Sequence, residues 1–382
     1  MSRRDERILL LGGFGRVGLE AARYLLENSE LSLLLCGRRA RALPEWMSAF
    51  GARVESRVLD VEDTAALDAA CAASRLVIAC VGPSGLIGDR VALACKRVGV
   101  PLVDAGGYDP LLHALEADEQ RAAARAPLVI NVGLLPGLSG MFPQWLIETQ
   151  ARGRAVERLD LAYVGRDAWT YHSAWDIVSS LGGFGEDRGF CYLREQQVVS
   201  TPMRRAMYKA TFPEPIGAAT TMLLYSEEIA RLARTHAITE AHVHGANIGP
   251  RAALVCMLAK MLGWHASRSG IERGARWLVR ASARDMRKLA PAYGIRARLR
   301  YRDGASDTAL LTLTDTYRAT GAVIALTAAA LLEQKTPEPG VQLLHEAVPA
   351  VPFMARLREQ GLVEIGRESA AGAVVAAGEV SA

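Results

Sequence analysis

At 382 residues the chain is too long for one small core and fits two domains of ordinary size. Half of its residues are hydrophobic and 23% are charged, a balance that excludes a disordered chain. The 45 basic and 41 acidic residues leave a formal charge of +4, too thin an excess to be the footprint of a nucleic-acid binder.

Residues 1–7 are charged and lead directly into a strand pattern, with no signal-peptide core, so a cytoplasmic location is expected. An apolar run at 7–11, glycine punctuation at 12–18 and helical spacing over 17–27 predict strand, tight turn and helix. Further strands are predicted at 31–36, 53–59, 75–81, 101–103 and 127–132, with helices at 64–73, 88–98 and 111–124 between the later ones. That alternation predicts an α/β fold, a Rossmann-type doubly wound parallel sheet over residues 1–135.

After Gly133 the rhythm changes. Strand patterns at 156–164, 190–200, 218–225, 238–244 and 295–315, with helical blocks at 173–181, 250–262 and 269–288, predict an inserted α+β substrate domain over 136–316. Asp303-Gly304 marks a hairpin turn within the last strand block. Residues 317–332 predict a long helix of small residues, too short in its apolar part to span a bilayer, and 340–361 a short strand and another helix. Elements from about 317–365 are expected to complete the first domain, and 368–382 to be a frayed tail.

Gly13-Phe14-Gly15-Arg16-Val17-Gly18 is a G-x-G-x-x-G fingerprint in the right context, after a strand and opening a helix. Gly13 is read as the tight turn, Gly15 as the close approach to a pyrophosphate and Gly18 as the helix-to-strand contact. The second strand leads into Arg38 and Arg39 rather than an acid, which suits a 2′-phosphate and predicts NADP(H). Asp60, after the third strand, is read either as an adenine contact or as a solvated turn acid. Val81-Gly82-Pro83, after the fourth, is expected under the nicotinamide ribose.

Hydride transfer needs positioning and a proton donor. The richest polar group in the second domain is Tyr171, His172 and Asp176, around a helix start assigned to Ser173. Tyr171 or His172 could donate a proton, and the alternative is a helix cap with aromatic packing and a structural Asp176. Tyr108 and Asp109, at a strand end, are further candidates. His242 and His244 share one strand face and raise a metal reading, but the remaining nearby imidazole, His236, precedes that strand, and no metal is expected. Gly182 to Gly185 reads as a helix C-cap and loop. The six cysteines show no metal spacing and read as small buried hydrophobes. Nine arginines from Arg268 to Arg300 are read as a solvated face, with an acidic partner or substrate as the alternative.

The opening Gly12 to Gly18, Cys80-Val81-Gly82-Pro83, Gly99-Val100-Pro101-Leu102-Val103-Asp104 and Gly133-Leu134-Leu135-Pro136-Gly137-Leu138-Ser139 together resemble the saccharopine dehydrogenase-like family. Tyr317-Arg318-Ala319-Thr320 and Pro339-Gly340-Val341 resemble that family's carboxyl end. The resemblance implies an NAD(P)H-linked redox reaction, commonly reduction of an imine, and some relatives act as trans-acting reductases in secondary metabolism. Gly106-Gly107-Tyr108 departs from the acid that many relatives carry there. The expected function is an NADPH-dependent imine reductase, a cytoplasmic homodimer with no nucleic-acid or membrane partner, acting on a small-molecule or carrier-bound substrate. The alternatives are a trans-acting reductase of a C=C or C=O bond on a carrier-bound intermediate, and a non-catalytic NADP(H)-sensing or scaffold protein.

Overall fold

The structure, a computed structural model, describes residues 7–106, 109–119, 123–182, 190–334, 338–368 and 374–376. The chain opens with β1 (Ile8–Leu11), α1 (Arg16–Asn28), β2 (Leu33–Gly37), β3 (Val54–Val58), α2 (Thr64–Ala72) and β4 (Leu76–Ala79). Then come α3 (Ser84–Ile87), α4 (Arg90–Val98), β5 (Leu102–Asp104), α5 (Asp109–Glu119), β6 (Pro127–Ile130) and α6 (Leu138–Leu146). The middle holds β7 (Val156–Arg166), α7 (Tyr171–Ser180), β8 (Cys191–Arg194), β9 (Gln197–Ser200), α8 (Met203–Ala206), β10 (Met207–Thr211) and β11 (Ala218–Leu223). It continues with α9 (Glu227–Thr235), β12 (Glu240–Asn247), α10 (Pro250–Met261), α11 (Arg268–Asp285), β13 (Ala292–Tyr301) and β14 (Ser306–Leu313). The last elements are α12 (Thr316–Glu333), β15 (Gly340–Leu343), α13 (Leu344–Ala347), α14 (Ala350–Glu359), β16 (Glu364–Glu368) and β17 (Val374–Ala376).

Two compact units result, Met1–Leu138 with Tyr317–Pro349, and Ser139–Thr316 with Ala350–Ala382. In the first, the described strands form a parallel sheet ordered β15-β6-β5-β4-β1-β2-β3. β1 and β4 lie at its centre and are buried on both faces, which is why Ile8 to Leu11 and Leu76 to Ala79 are continuous apolar runs without alternation. One core cluster joins β1, β2, β4, β5 and β6 to the apolar sides of α2, α4 and α5. Elsewhere in the unit, α12 runs so close to α1 that a Cβ on Gly321 would stand 2.6 Å from the Ala21 nitrogen. The small residues of α12 permit this backbone approach.

The second unit is built on a mixed, mainly antiparallel sheet ordered β10-β11-β12-β7-β13-β14-β16-β17, with the β8–β9 hairpin attached to β12. Along β7, β12 and β13 successive side chains point to opposite faces of the sheet. Leu159, Leu161, Val243, Ile295, Ala297 and Leu299 are buried, while α9 and α10 pack against β12. The opposite side carries Arg158, Asp160, Glu240, His242, His244, Arg296, Arg298 and Arg300, placed in register across the three strands. Phe212, in the β10–β11 turn, packs against Gly294 on β13, so the sheet curls over that polar side.

One expectation is corrected. Residues 350–365 do not complete the first unit. α14 and β16 fall in the second, because β16 is hydrogen-bonded to β14 with Ile365 opposite Leu311. What completes the first unit is α12, β15 and α13, with β15 adding a parallel edge strand beside β6. Within residues 368–382, Val374–Ala376 forms β17, antiparallel to β16 with Val374 opposite Glu368. Among the described residues no helix is long and apolar enough to cross a membrane.

Candidate functional site

β1 ends at Leu11 and the chain turns at Gly12, whose φ of 74° lies in the left-handed region. A Cβ there would stand 2.4 Å from the Cys80 carbonyl oxygen, so the turn is also pressed against the end of β4. The tight turn expected at Gly13 is therefore made one residue earlier. Gly13 is small for another reason, since its Cβ would stand 2.9 Å from the Leu35 side chain. Both N–H groups donate to the Cys36 carbonyl, at 2.9 and 3.3 Å, which ties the loop to the end of β2.

Gly18 makes the expected close contact: its Cβ would stand 2.4 Å from the Gly12 carbonyl oxygen and 2.9 Å from the Gly13 Cα. A Cβ on Gly15 would meet only the Gly12 oxygen, at 3.3 Å, and the residue is exposed. Gly15 also caps α1, which has no side-chain cap and no acid in its first turn. The positive end of the helix is thus offered to an anion with no acid in its first turn.

Arg38 and Arg39 follow β2, are exposed and, among the described residues, have no carboxylate partner. Phe14 lies against the same strand end, its ring carbon 3.4 Å from where a Gly37 Cβ would be. Asp60 is exposed, and its Oδ1 accepts the Glu62 N–H at 3.1 Å, the geometry of the turn-acid alternative. Val81 and Gly82 are half-buried, and the Pro83 carbonyl accepts the Leu86 and Ile87 N–H groups that open α3. Val17 is half-buried in the first turn of α1. Arg16 is engaged elsewhere: its guanidinium lies 3.6 Å over the ring of Tyr317 at the start of α12. An open glycine cradle, an uncapped helix N-terminus and two unopposed guanidinium groups are the features that a phosphorylated dinucleotide requires.

Asp104 was not singled out from sequence, yet it is the most perturbed acid at this end of the sheet. It closes β5, is 7% exposed, and burial pushes its carboxyl up to about 6 against the pull of the Gly106 N–H, which donates to Oδ1 at 2.7 Å. The Ser84 hydroxyl is close by, 3.3 Å from the position of a Gly106 Cβ. The available signal was position alone, an acid at the carboxyl end of a parallel strand.

The second-unit candidates are not brought together. Thr170 rather than Ser173 caps α7, its hydroxyl accepting the Ser173 N–H at 3.3 Å. Tyr171 and His172 therefore occupy the exposed first turn, ring centroids 6.1 Å apart, and Asp176 is half-buried one turn further on. Tyr108 lies outside the described residues, as do Gly183 to Gly185, while Asp109 is buried at the start of α5. His242 and His244 do share a face, 6.1 Å apart, but His242 Nε2 is paired with Glu240 Oε1 at 2.7 Å. Among the described residues no group of three metal-ligating side chains forms.

With this geometry in view, residues 8–129 match the family described as the saccharopine dehydrogenase NADP binding domain. Among solved structures, apo saccharopine dehydrogenase (L-Glu forming) from Saccharomyces cerevisiae aligns over 96% of this chain and 100% of its own, with a TM-score of 0.65 at 15% identity. A meso-dapdh variant from Clostridium tetani aligns over 93% of this chain and 99% of its own, with a TM-score of 0.46 at 12% identity. No curated protein matches this chain in sequence. Residues 8–129 thus match an NADP-binding domain of the saccharopine dehydrogenase type, and the likeness to the yeast enzyme shows a shared fold.

Proposed function

We propose that this chain is an NADPH-dependent reductase acting on the carbon–nitrogen double bond of a small amino-acid-derived or secondary metabolite. One observation carries the reading: a saccharopine dehydrogenase-type NADP-binding domain with an unopposed arginine pair, in a chain that shares its fold end to end with a saccharopine dehydrogenase. When bound, the cofactor supplies the hydride. The chain's part is to bind and orient. The α1 N-terminus and the Gly15 backbone take the pyrophosphate, Arg38 with Arg39 beside it takes the 2′-phosphate, and Val81 to Pro83 support the nicotinamide ribose. Tyr171 or His172 is the proposed proton source for the nascent amine, with Asp176 on the same helix; Asp104 holds the Gly106 backbone. The expected cytoplasmic homodimer belongs to this proposal.

The test is NADPH oxidation by the full chain with a panel of amine and carbonyl pairs. Turnover with a pair, and with neither partner alone, is expected. Binding of NADPH without oxidation by any pair would overturn the reading in favour of a sensor.

A second reading, reduction of a C=C or C=O bond on a carrier-bound intermediate, is favoured by one surface. Leu254, Met257 and Met261 on α10 and Trp277 on α11 are exposed, Met261 by 75%, and α11 adds Arg273, Arg280 and Arg284. An apolar stripe beside arginines suits an acidic helical partner. Turnover of a carrier-linked thioester but not its free acid, lost on Arg273→Glu with Arg280→Glu, would select this reading.

A further inference from the structure

The polar side of the second sheet encloses a pocket of about 340 Å³ that the cofactor reading leaves without a role. Its floor is set by strand register. One row places Arg300, Arg158, Glu240 and Arg194 side by side, and the next places Arg298, Asp160 and His242. Arg205 and Tyr208 close it from α8 and β10.

The charges do not balance. Five arginines line the pocket against two carboxylates, Asp160 and Glu240, an excess of three. Arg158 bridges both acids, at 2.6 and 2.8 Å, Arg194 grips Glu240 through two nitrogens, and Arg300 Nε lies 3.6 Å from Asp160 Oδ2. Glu240 and Asp160 Oδ1 are thus already committed to protein cations, while the buried Asp160 Oδ2 accepts no hydrogen bond. Arg205 has no side-chain partner among the described residues, and Arg298 reaches only the Ser306 hydroxyl, at 3.2 Å, leaving its buried Nε–H without an acceptor.

The histidines add polarity rather than charge. Burial, with His242 adjacent, pushes His244 down to about 4. His244 is 6% exposed and its Nδ1 has no partner, while Tyr192 stacks on His242 with centroids 4.4 Å apart. Tyr208 lies 4.9 Å from the His244 ring and accepts from Arg296, which is itself anchored on Glu368. The aromatic walls are therefore held by their neighbours. A half-enclosed cluster of like charges is unfavourable unless something neutralises it, and guanidinium groups are the donors best matched to oxyanions.

The geometry points to a binding site for a small dianion, a phosphate group or a dicarboxylate, seated on Arg298 and Arg205 within this pocket. This assignment does not depend on which bond the enzyme reduces. The buried Arg298 Nε–H lacks an acceptor, the charge excess of three favours an occupant with two negative charges, and the volume limits that occupant to a small molecule.

Calorimetric titration of the full chain with inorganic phosphate, malonate and acetate at matched ionic strength tests it. Saturable binding of phosphate or malonate at least tenfold tighter than acetate is expected, and the better of the two identifies the oxyanion. Arg298→Gln and Arg205→Gln should each weaken that binding tenfold or more while leaving NADPH affinity unchanged, which certifies folding. Arg205 is exposed, so its substitution guards against a variant that fails to fold. Absence of saturation by either dianion, or binding by both variants equal to wild type, would overturn the assignment.

Discussion

Asp104→Asn is the perturbation whose effect the structure specifies most closely. The carboxyl ordinarily titrates at 3.8 and is pushed up to about 6 in the fold by burial. Each unit corresponds to about 1.4 kcal/mol, so ionised Asp104 costs the first unit about 3 kcal/mol at neutral pH. The folded chain holds this proton more tightly than the unfolded chain. Stability therefore falls as pH rises from about 4 to about 6, and this contribution is constant above that. Asparagine keeps an oxygen to accept the Gly106 N–H and carries no charge, but it introduces a buried amide that forfeits about 1 kcal/mol if unpaired. The variant should thus be more stable than wild type by about 1–2 kcal/mol at pH 7.5 and should lose that advantage near pH 4. Urea unfolding followed by circular dichroism at several pH values measures the difference, with the first unit's transition identified by its shift on adding NADPH. A difference that stays constant from pH 4 to pH 8 would refute the reasoning, because it would mean that Asp104 does not titrate in this window in the folded chain.

Arg38→Ala should raise KM for NADPH by ~10- to 100-fold and leave that for NADH unchanged, since a charge-assisted contact to the 2′-phosphate is worth about 1.5–3 kcal/mol; steady-state kinetics with both cofactors decides it. Gly18→Ala and Gly15→Ala should separate in a melting and NADPH-titration experiment. The first drives a Cβ to 2.4 Å from backbone oxygen and should destabilise the fold by about 1–3 kcal/mol. The second meets only one atom at 3.3 Å and should leave the melting temperature of the free protein nearly unchanged while weakening NADPH binding. Asp285→Ala should destabilise the second unit by about 3–5 kcal/mol in urea. The fully buried carboxylate accepts the Arg251 and Ala252 N–H groups that open α10 as well as the Arg251 guanidinium, and nothing replaces it.

The first unit was legible because its signals are local. A central parallel strand is apolar throughout, and a glycine cluster between strand and helix has few other meanings. Which glycine turns was not legible, because φ at Gly12 is set by closure onto Cys36 and Cys80, residues that sequence spacing does not bring near. The cap of α7 was misplaced by three residues because Thr170 and Ser173 are equally able to cap, and the two hydroxyls in fact lie 2.9 Å apart. β10 was missed since four of its five residues are exposed, leaving no hydrophobic period to detect. The arginines of β13 were seen as a row but not as a site. Arg298 and Arg300 acquire meaning only opposite Asp160 and Arg158, about 140 residues earlier, and that register is invisible to any local window.

The same distinction explains the misassigned carboxyl end. The burial of Phe353, Met354 and Leu357 on α14 is visible as helical spacing, but spacing announces that a face is covered without naming the cover. Strand pairing names it. β15 joins β6 through Val341 opposite Leu128, whereas β16 joins β14, so the chain changes unit between Pro349 and Ala350. The consequence is a crossed connectivity, in which the first sheet receives its edge strand only after the whole of Ser139–Thr316 has been traversed, and the second receives β16 only after that. Neither unit is a contiguous segment that could have been added to the other at one terminus. A dinucleotide-binding motif at residue 13 can therefore be read from a dozen residues, while the unit that carries it is completed more than 300 residues later, by the pairing of Gly340–Leu343.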